Sequence, residues 1–205
     1  QDLDIAFRTN SLAENQKNIE LVNQHGRGKR LIICSTAPPA VVQRTQDVGF
    51  DSYWWAPLVD DPTQSGSLTR EIVRDTGLPA MNTGGTVGTA AWVFALTVLR
   101  IPTIAVVGMD LGYYKSDTPY EKTQTYHSLK DVVGEENLSD YFVDFSYPGS
   151  DEHFYTDPTY FWYRRNLLSL IAASKTTLHN CTGGGTLVGE GVECLDLEEF
   201  CRRVS

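Results

Sequence analysis

Two glycine-rich turns, an aspartate after an apolar run and a histidine ahead of a helix are the groups in this sequence best suited to chemistry. The first turn is "NTGGTVG", Asn82 to Gly88, at the start of a helix-like run. Glycine lets the backbone come close to a ligand, and the unpaired N–H groups of a first helical turn point at an anion. Asn82, Thr83, Gly84, Gly85 and Thr86 are therefore candidates for holding a phosphate-bearing molecule. A tight turn with close helix packing gives the same pattern. The spacing is neither G-x-G-x-x-G nor G-x-x-x-x-G-K-[ST], which disfavours a Rossmann dehydrogenase and a P-loop enzyme.

The aspartate is Asp110 in "VVGMDLGYY", just past the end of a strand-like run. In an open parallel sheet ligands bind outside the carboxyl ends of the strands, so Asp110 could meet a metal, a ribose hydroxyl or a substrate amine, or simply cap the next turn. Tyr113, Tyr114 and Tyr120 offer hydroxyls to a phosphate, a stacking face to a base, or packing. In "SDEHFYTDP", His153 reads as a loop residue suited to general base work, because an unperturbed histidine titrates at ~6.5; Thr156 or Asp157 would cap the helix that follows. A lone loop histidine is more often structural. The second glycine cluster, in "HNCTGGGTLVGEG", puts Thr182, Gly183 and Gly184 after another strand, as ligand contacts or as a turn. Arg164 and Arg165 lie within a helix, where surface pairing is the commoner role. No zinc-ligand spacing and no G-x-S-x-G elbow is present.

The elements that position these groups alternate. "DIAFRTN" reads as a strand. "SLAENQKNIELVNQHG" reads as a helix capped by Asn10 or Ser11 and stopped by Gly26. "RLIICS" and "DSYWWAP" are strands around a short helix ending at Gly49, and "LTREIVRDTG" is a helix ending at Gly77. "TAAWVFALTVLR" is apolar on every side, which predicts a helix buried between a sheet and other elements, and "TIAVVGMD" is a buried strand. From Gly112 to about Asp151 the pattern breaks, which predicts an insert with one or two short helices rather than sheet, either a site cover or a surface excursion. A helix from Pro158, the strand "TTLHNCT", a glycine loop, a short extended piece and a terminal helix complete the chain. This order predicts an α/β fold with a mostly parallel sheet covered on both faces.

The 205 residues, 41% hydrophobic, suit one sizeable core, so a single domain spanning 1–205 is expected. A formal charge of −9 argues against nucleic acid and anionic membrane as partners. The four cysteines have no C-x-x-C spacing and read as reduced thiols of a cytoplasmic protein. No apolar run approaches the ~18 residues of a membrane span, and no signal-peptide pattern opens the sequence. The first residue is Gln1 and "LDIAF" reads as a strand already under way, so a piece trimmed from a longer protein is expected.

"NTGGTVGTAAWVFALTVLRIPTIAVVGMDLGYY" resembles the Gly-Gly-x-Val-Gly helix and Gly-Met-Asp-Leu strand end of the 6-hydroxymethylpterin diphosphokinase-like domain family, which includes the central domain of motility-associated flagellin glycosylation factors. "HNCTGGGTLVGEGVECLDLEEF" is similar to a later segment of that domain, with Gly183 where glutamate is usual. The resemblance implies a Rossmann-like three-layer α/β/α fold. A more distant similarity, to bacterial sialyltransferases that use a CMP-linked sugar, implies that Thr83, Gly84 and Gly85 face the nucleotide, that Tyr113 or Tyr120 assists the leaving phosphate, and that His153 is the base. The family's first strand usually runs into a Gly-x-Gly-Pro-Ser-like turn, and none precedes "LDIAF"; that element is lost here, or nucleotide is bound differently.

The expected function is a nucleotide-dependent transferase acting on a small-molecule acceptor, with transfer from a CMP-type or other nucleotide sugar ahead of the alternatives. In the first alternative, ATP and Mg²⁺ serve pyrophosphoryl transfer to a pterin, with Asp110 and Asp157 holding the ion. In the second, the chain is a non-catalytic nucleotide-binding or scaffold domain with flanking domains or a second copy.

Overall fold

The computed structural model describes residues 12–205. The expected first strand and the cap at Asn10 or Ser11 lie outside the described residues. The chain divides into two compact units, Gln1–Asn82 and Thr83–Ser205.

In the first unit, α1 (Leu12–His25) leads into β1 (Arg30–Cys34), α2 (Pro39–Val48), β2 (Asp51–Pro57), α3 (Leu68–Thr76) and β3 (Ala80–Met81). Pro39 opens α2, where a missing N–H costs nothing, and Gly49 closes it in the left-handed conformation. At the start of α3, Ser67 Oγ accepts the Arg70 amide at 3.1 Å. The strands pair in parallel in the order β1-β2-β3, with Arg30 opposite Asp51 and Ala56 opposite Ala80.

The second unit begins with α4 (Val87–Val93), which widens into a π-turn over Phe94–Val98. Only part of this run is covered, contrary to the sequence expectation of a helix buried all round. Thr89, Trp92 and Val93 are buried, whereas Val98 and Leu99 are 58% and 56% exposed. The wide turn, with the Leu99 amide bonded to the Phe94 carbonyl at 3.1 Å, rotates the last residues away from the covered side.

A parallel three-stranded sheet follows, in the order β4 (Ile104–Val106), β8 (Leu178–Asn180), β9 (Val192–Cys194). Ile104 lies opposite Leu178, and Leu178 opposite Val192. Between β4 and β8 the chain builds β5 (Tyr113–Tyr114), α5 (Tyr126–Val133), β6 (Val143–Ser146), β7 (His153–Thr156) and the long α6 (Pro158–Ser174); α7 (Leu197–Val204) ends it.

The insert holds short helices, as expected, but the expectation that it contains no sheet is overturned. β5, β7 and β6 form an antiparallel sheet in that order, Tyr113 opposite Tyr155 and Ser146 opposite His153. Burial drives this pairing: Phe154 and Tyr155 are 1% exposed, and Tyr155 packs in a cluster with Tyr126, Leu138 and Phe142. Burying one such ring contributes about 1.5–3 kcal/mol, enough to hold a two-residue strand in place.

The fold is thus a mixed α/β one with small, largely parallel sheets. No helix among the described residues is long and apolar enough to cross a membrane. Cys34, Cys181, Cys194 and Cys201 are free.

Candidate functional site

The site of most interest lies just beyond β4, at the carboxyl end of the parallel sheet of the second unit. The backbone from Asp110 to Gly112 is clamped from two sides. The Thr186 amide donates to the Asp110 carbonyl at 2.7 Å, and the hydroxyls of Thr186 and Thr156 donate to the Leu111 carbonyl at 2.6 and 3.1 Å. Leu111 has φ 50, a conformation that costs energy in any residue bearing a Cβ. Gly185 is needed for the clamp, since a Cβ there would sit 2.5 Å from the Asp110 carbonyl oxygen.

Held this way, the Asp110 side chain is half-buried and makes no hydrogen bond or ion pair with any described residue. Its charge also acts on Tyr160, in the first turn of α6. Burial, then Asp157, Tyr163 and Asp110, raise the Tyr160 phenol above its ordinary range, so it stays protonated. A carboxylate acceptor and a protonated phenol thus lie within electrostatic reach of one another.

Asp157 is fully buried. It is the N-cap of α6: Oδ1 accepts the Tyr160 amide at 2.8 Å and Oδ2 accepts the Tyr113 hydroxyl at 3.0 Å. The Tyr113 hydroxyl also accepts the Gln124 amide at 3.3 Å, and burial raises its phenol well above the ordinary value. Both oxygens of Asp157 are engaged with protein donors, as is Tyr113. Among the described residues, no group of three or more His, Cys, Asp or Glu side chains could hold a metal ion.

The other residues singled out from the sequence fall in different places. Thr83 Oγ1 accepts the Gly85 amide at 3.4 Å, and Thr86 Oγ1, the N-cap of α4, accepts the Thr89 amide at 3.0 Å. Gly84 and Gly85 have φ 59 and 98 and pack closely, Gly84 on Thr89 and Leu170, Gly85 on the rings of Trp162 and Tyr163. The turn therefore lies against α6. Asn82 closes the first unit.

Thr182 Oγ1 accepts the Met109 amide at 3.2 Å, tying the second glycine cluster to the β4 exit. Gly183 has φ 79 with open space at its Cα, and Gly184 packs on Tyr114 and Phe154. Tyr120 stacks on Phe142, with ring centroids 4.1 Å apart, inside the aromatic cluster.

His153 is the first residue of β7 rather than a loop residue, opposite Ser146 and exposed. Three residues separate it from Asp157, and the four extended steps span ~13 Å at ~3.3 Å per residue. The geometry does not bring His153 and Asp157 together. Arg164 is structural: its guanidinium donates to the Thr186 carbonyl at 2.6 Å and to the Val188 carbonyl, and it lies over the Phe145 ring.

Sequence reasoning missed Tyr160, Thr186 and Gly185, and offered Thr156 only as a cap, whereas Asp157 caps α6 and Thr156 donates to the Leu111 carbonyl. The one local signal was Asp157 followed by proline, which fixes the residue three beyond the cap as a first-turn neighbour. No protein-family model, no curated protein and no solved structure matches this chain.

Proposed function

We propose that this chain is a nucleotide-dependent transferase of Rossmann-like, three-layer architecture, acting by glycosyl transfer from a nucleotide-activated sugar. The observation that carries the reading is Asp110: a half-buried carboxylate with no described partner, on a clamped backbone just past the carboxyl end of a parallel strand. That is where open α/β sheets bind ligands, and a group held there without a structural job is available to substrate.

In this reading Asp110 accepts the proton of the acceptor hydroxyl as its oxygen attacks the anomeric carbon. The bond from that carbon to the nucleotide phosphate breaks, and the Tyr160 phenol, which keeps its proton, donates to the departing phosphate oxygen. His153 serves as base only for a substrate that reaches the outer end of β7. The resemblance to nucleotide-sugar transferases supports CMP as the carrier. ATP-dependent pyrophosphoryl transfer is the weaker reading, because Asp157 is not free to share a Mg²⁺ ion with Asp110.

The test is a thermal-shift panel of CMP, CTP, UDP, ADP, ATP and GTP, with and without Mg²⁺, on the parent chain and Asp110→Asn. CMP is expected to stabilise the parent without metal, by about 2.7 kcal/mol at 100 times its Kd. Asp110→Asn, which removes no structural hydrogen bond and faces the acceptor rather than the nucleotide, should keep the CMP shift and lose glycosyl transfer. A shift by ATP only with Mg²⁺ favours pyrophosphoryl transfer. No shift with any nucleotide overturns the transferase reading and favours the scaffold.

A further inference from the structure

A cavity of about 270 Å³ opens outside the carboxyl ends of β8 and β9. Its walls include Tyr147 and Ser150 from the turn after β6, Gly183 beyond β8, and Cys194 and Asp196 at the end of β9. Tyr147 is buried wall rather than reagent: its hydroxyl donates to the Asn180 carbonyl at 3.2 Å, and burial pushes the phenol up to about 12.

The other polar walls have capacity to spare. Ser150 Oγ accepts the Glu152 amide at 3.1 Å, which leaves its own proton to donate. Asp196 is the N-cap residue of α7, yet its side chain makes no capping hydrogen bond, so both carboxylate oxygens are left as acceptors. Burial raises the Cys194 thiol, which therefore stays uncharged at neutral pH.

This chemistry selects a class of ligand. The cavity has no lysine or arginine in its walls, and Glu198 and Glu199 follow Asp196, so an anion is disfavoured. An ammonium brings donors only and would leave the Ser150 proton unmatched. A hydroxylated ring brings donors and acceptors together. The volume falls just below the ~300–1,000 Å³ of pockets that enclose drug-sized molecules, which suits one ring rather than a nucleotide.

We propose that this cavity binds a single sugar ring, with Asp196 accepting two neighbouring hydroxyls and Ser150 donating to a ring or hydroxyl oxygen. β8 separates β9 from β4, so the cavity is two strand spacings, ~10 Å, from the β4 end that leads to Asp110. The role of that sugar as the glycosyl group or its acceptor rests on the transferase reading; its binding does not.

Cys194 supplies the reporter. Its alkylation by iodoacetamide at alkaline pH, where a raised thiol ionises enough to react, is followed on the full chain by peptide mass spectrometry, with ribose, glucose or N-acetylglucosamine present, and with putrescine or inorganic phosphate as comparison arms. One of the sugars is expected to slow Cys194 about tenfold when present at about ten times its Kd, leaving exposed Cys201 unchanged. The protection should be lost in Asp196→Asn and weakened in Ser150→Ala, with parent-like circular dichroism.

The proposal is overturned if no sugar protects, if putrescine or phosphate protects instead, or if Asp196→Asn keeps the protection. A nucleotide shift without sugar protection defeats this proposal alone. Sugar protection without any nucleotide shift defeats the transferase reading and leaves the sugar site standing.

Discussion

The Tyr113 hydroxyl donates to Asp157 Oδ2 at 3.0 Å, joining the first residue of β5 to the cap of α6. Because the carboxylate is fully buried, removing this donor leaves an acceptor unmatched, which costs about 1–3 kcal/mol. Tyr113→Phe is expected to lower unfolding stability by that amount in urea titration. Asp157→Ala should cost more, since it also strips the Tyr160 amide of its cap. A Tyr113→Phe variant as stable as the parent would show that the pair does not tie the insert to α6.

The same burial makes a pH prediction. Tyr147 and Tyr155 are both pushed up to about 12, chiefly by burial, and Tyr113 is also raised. In the unfolded chain these phenols ionise near ~10, so above that pH the unfolded state holds fewer protons than the folded one. Their contribution is complete below ~10 and is lost as pH rises towards 12. Phenolate absorbance should therefore show an early group of tyrosines and a late group, the late group appearing with unfolding. A single titration at the ordinary value would contradict the burial.

What the sequence made legible was governed by local chemistry. Gly49, Gly77 and the Asp157–Pro158 pair mark helix ends because a cap is decided within a few residues, and the apolar runs of β1, β2, β4 and β8 stand out for the same reason. β5 and β6 were hidden: at two and four residues neither carries a period, and both exist because β7, distant from β5 in sequence, pairs with them. His153 was misread as a loop residue along with them. At the site, Asp110 could be found from its place after a strand. Tyr160 and Thr186 could not, because their roles arise from contacts across the fold.

Asp60 gives an acid-side counterpart in the first unit. Its carboxylate accepts the Ser67 hydroxyl at 2.7 Å and the amides of Leu68 and Thr69 at 2.7 and 3.1 Å, so it is lowered to about 2, the Ser67 and Thr69 side chains being the largest causes. A depressed carboxylate stabilises fully above its unfolded value, near ~3.9, and loses that contribution as pH falls through the folded one. Between pH ~4 and ~2 the parent should lose more stability than Asp60→Asn, measured by thermal melts across that window. Parallel acid curves for the two proteins would mean that Asp60 does not fasten the start of α3.

Gly85 and Gly183 provide a matched pair that separates backbone strain from packing. Both lie in the left-handed region, φ 98 and 79, where a Cβ costs about 1–2 kcal/mol. At Gly183 nothing lies within reach of an added Cβ, so Gly183→Ala should show little beyond that strain. At Gly85 the same methyl would meet the Trp162 ring at 2.5 Å and the Tyr163 ring at 2.7 Å, and overpacking adds about 1–3 kcal/mol. Gly85→Ala is therefore expected to melt lower than Gly183→Ala and to shift tryptophan fluorescence as Trp162 moves. Equal destabilisation with unchanged fluorescence would mean that the "TGG" turn does not press on α6. The glycine would then be free to serve a ligand, and a Gly85 variant would become a fair probe of nucleotide binding; with the packing as described, such a variant disturbs α6, and with it Tyr160.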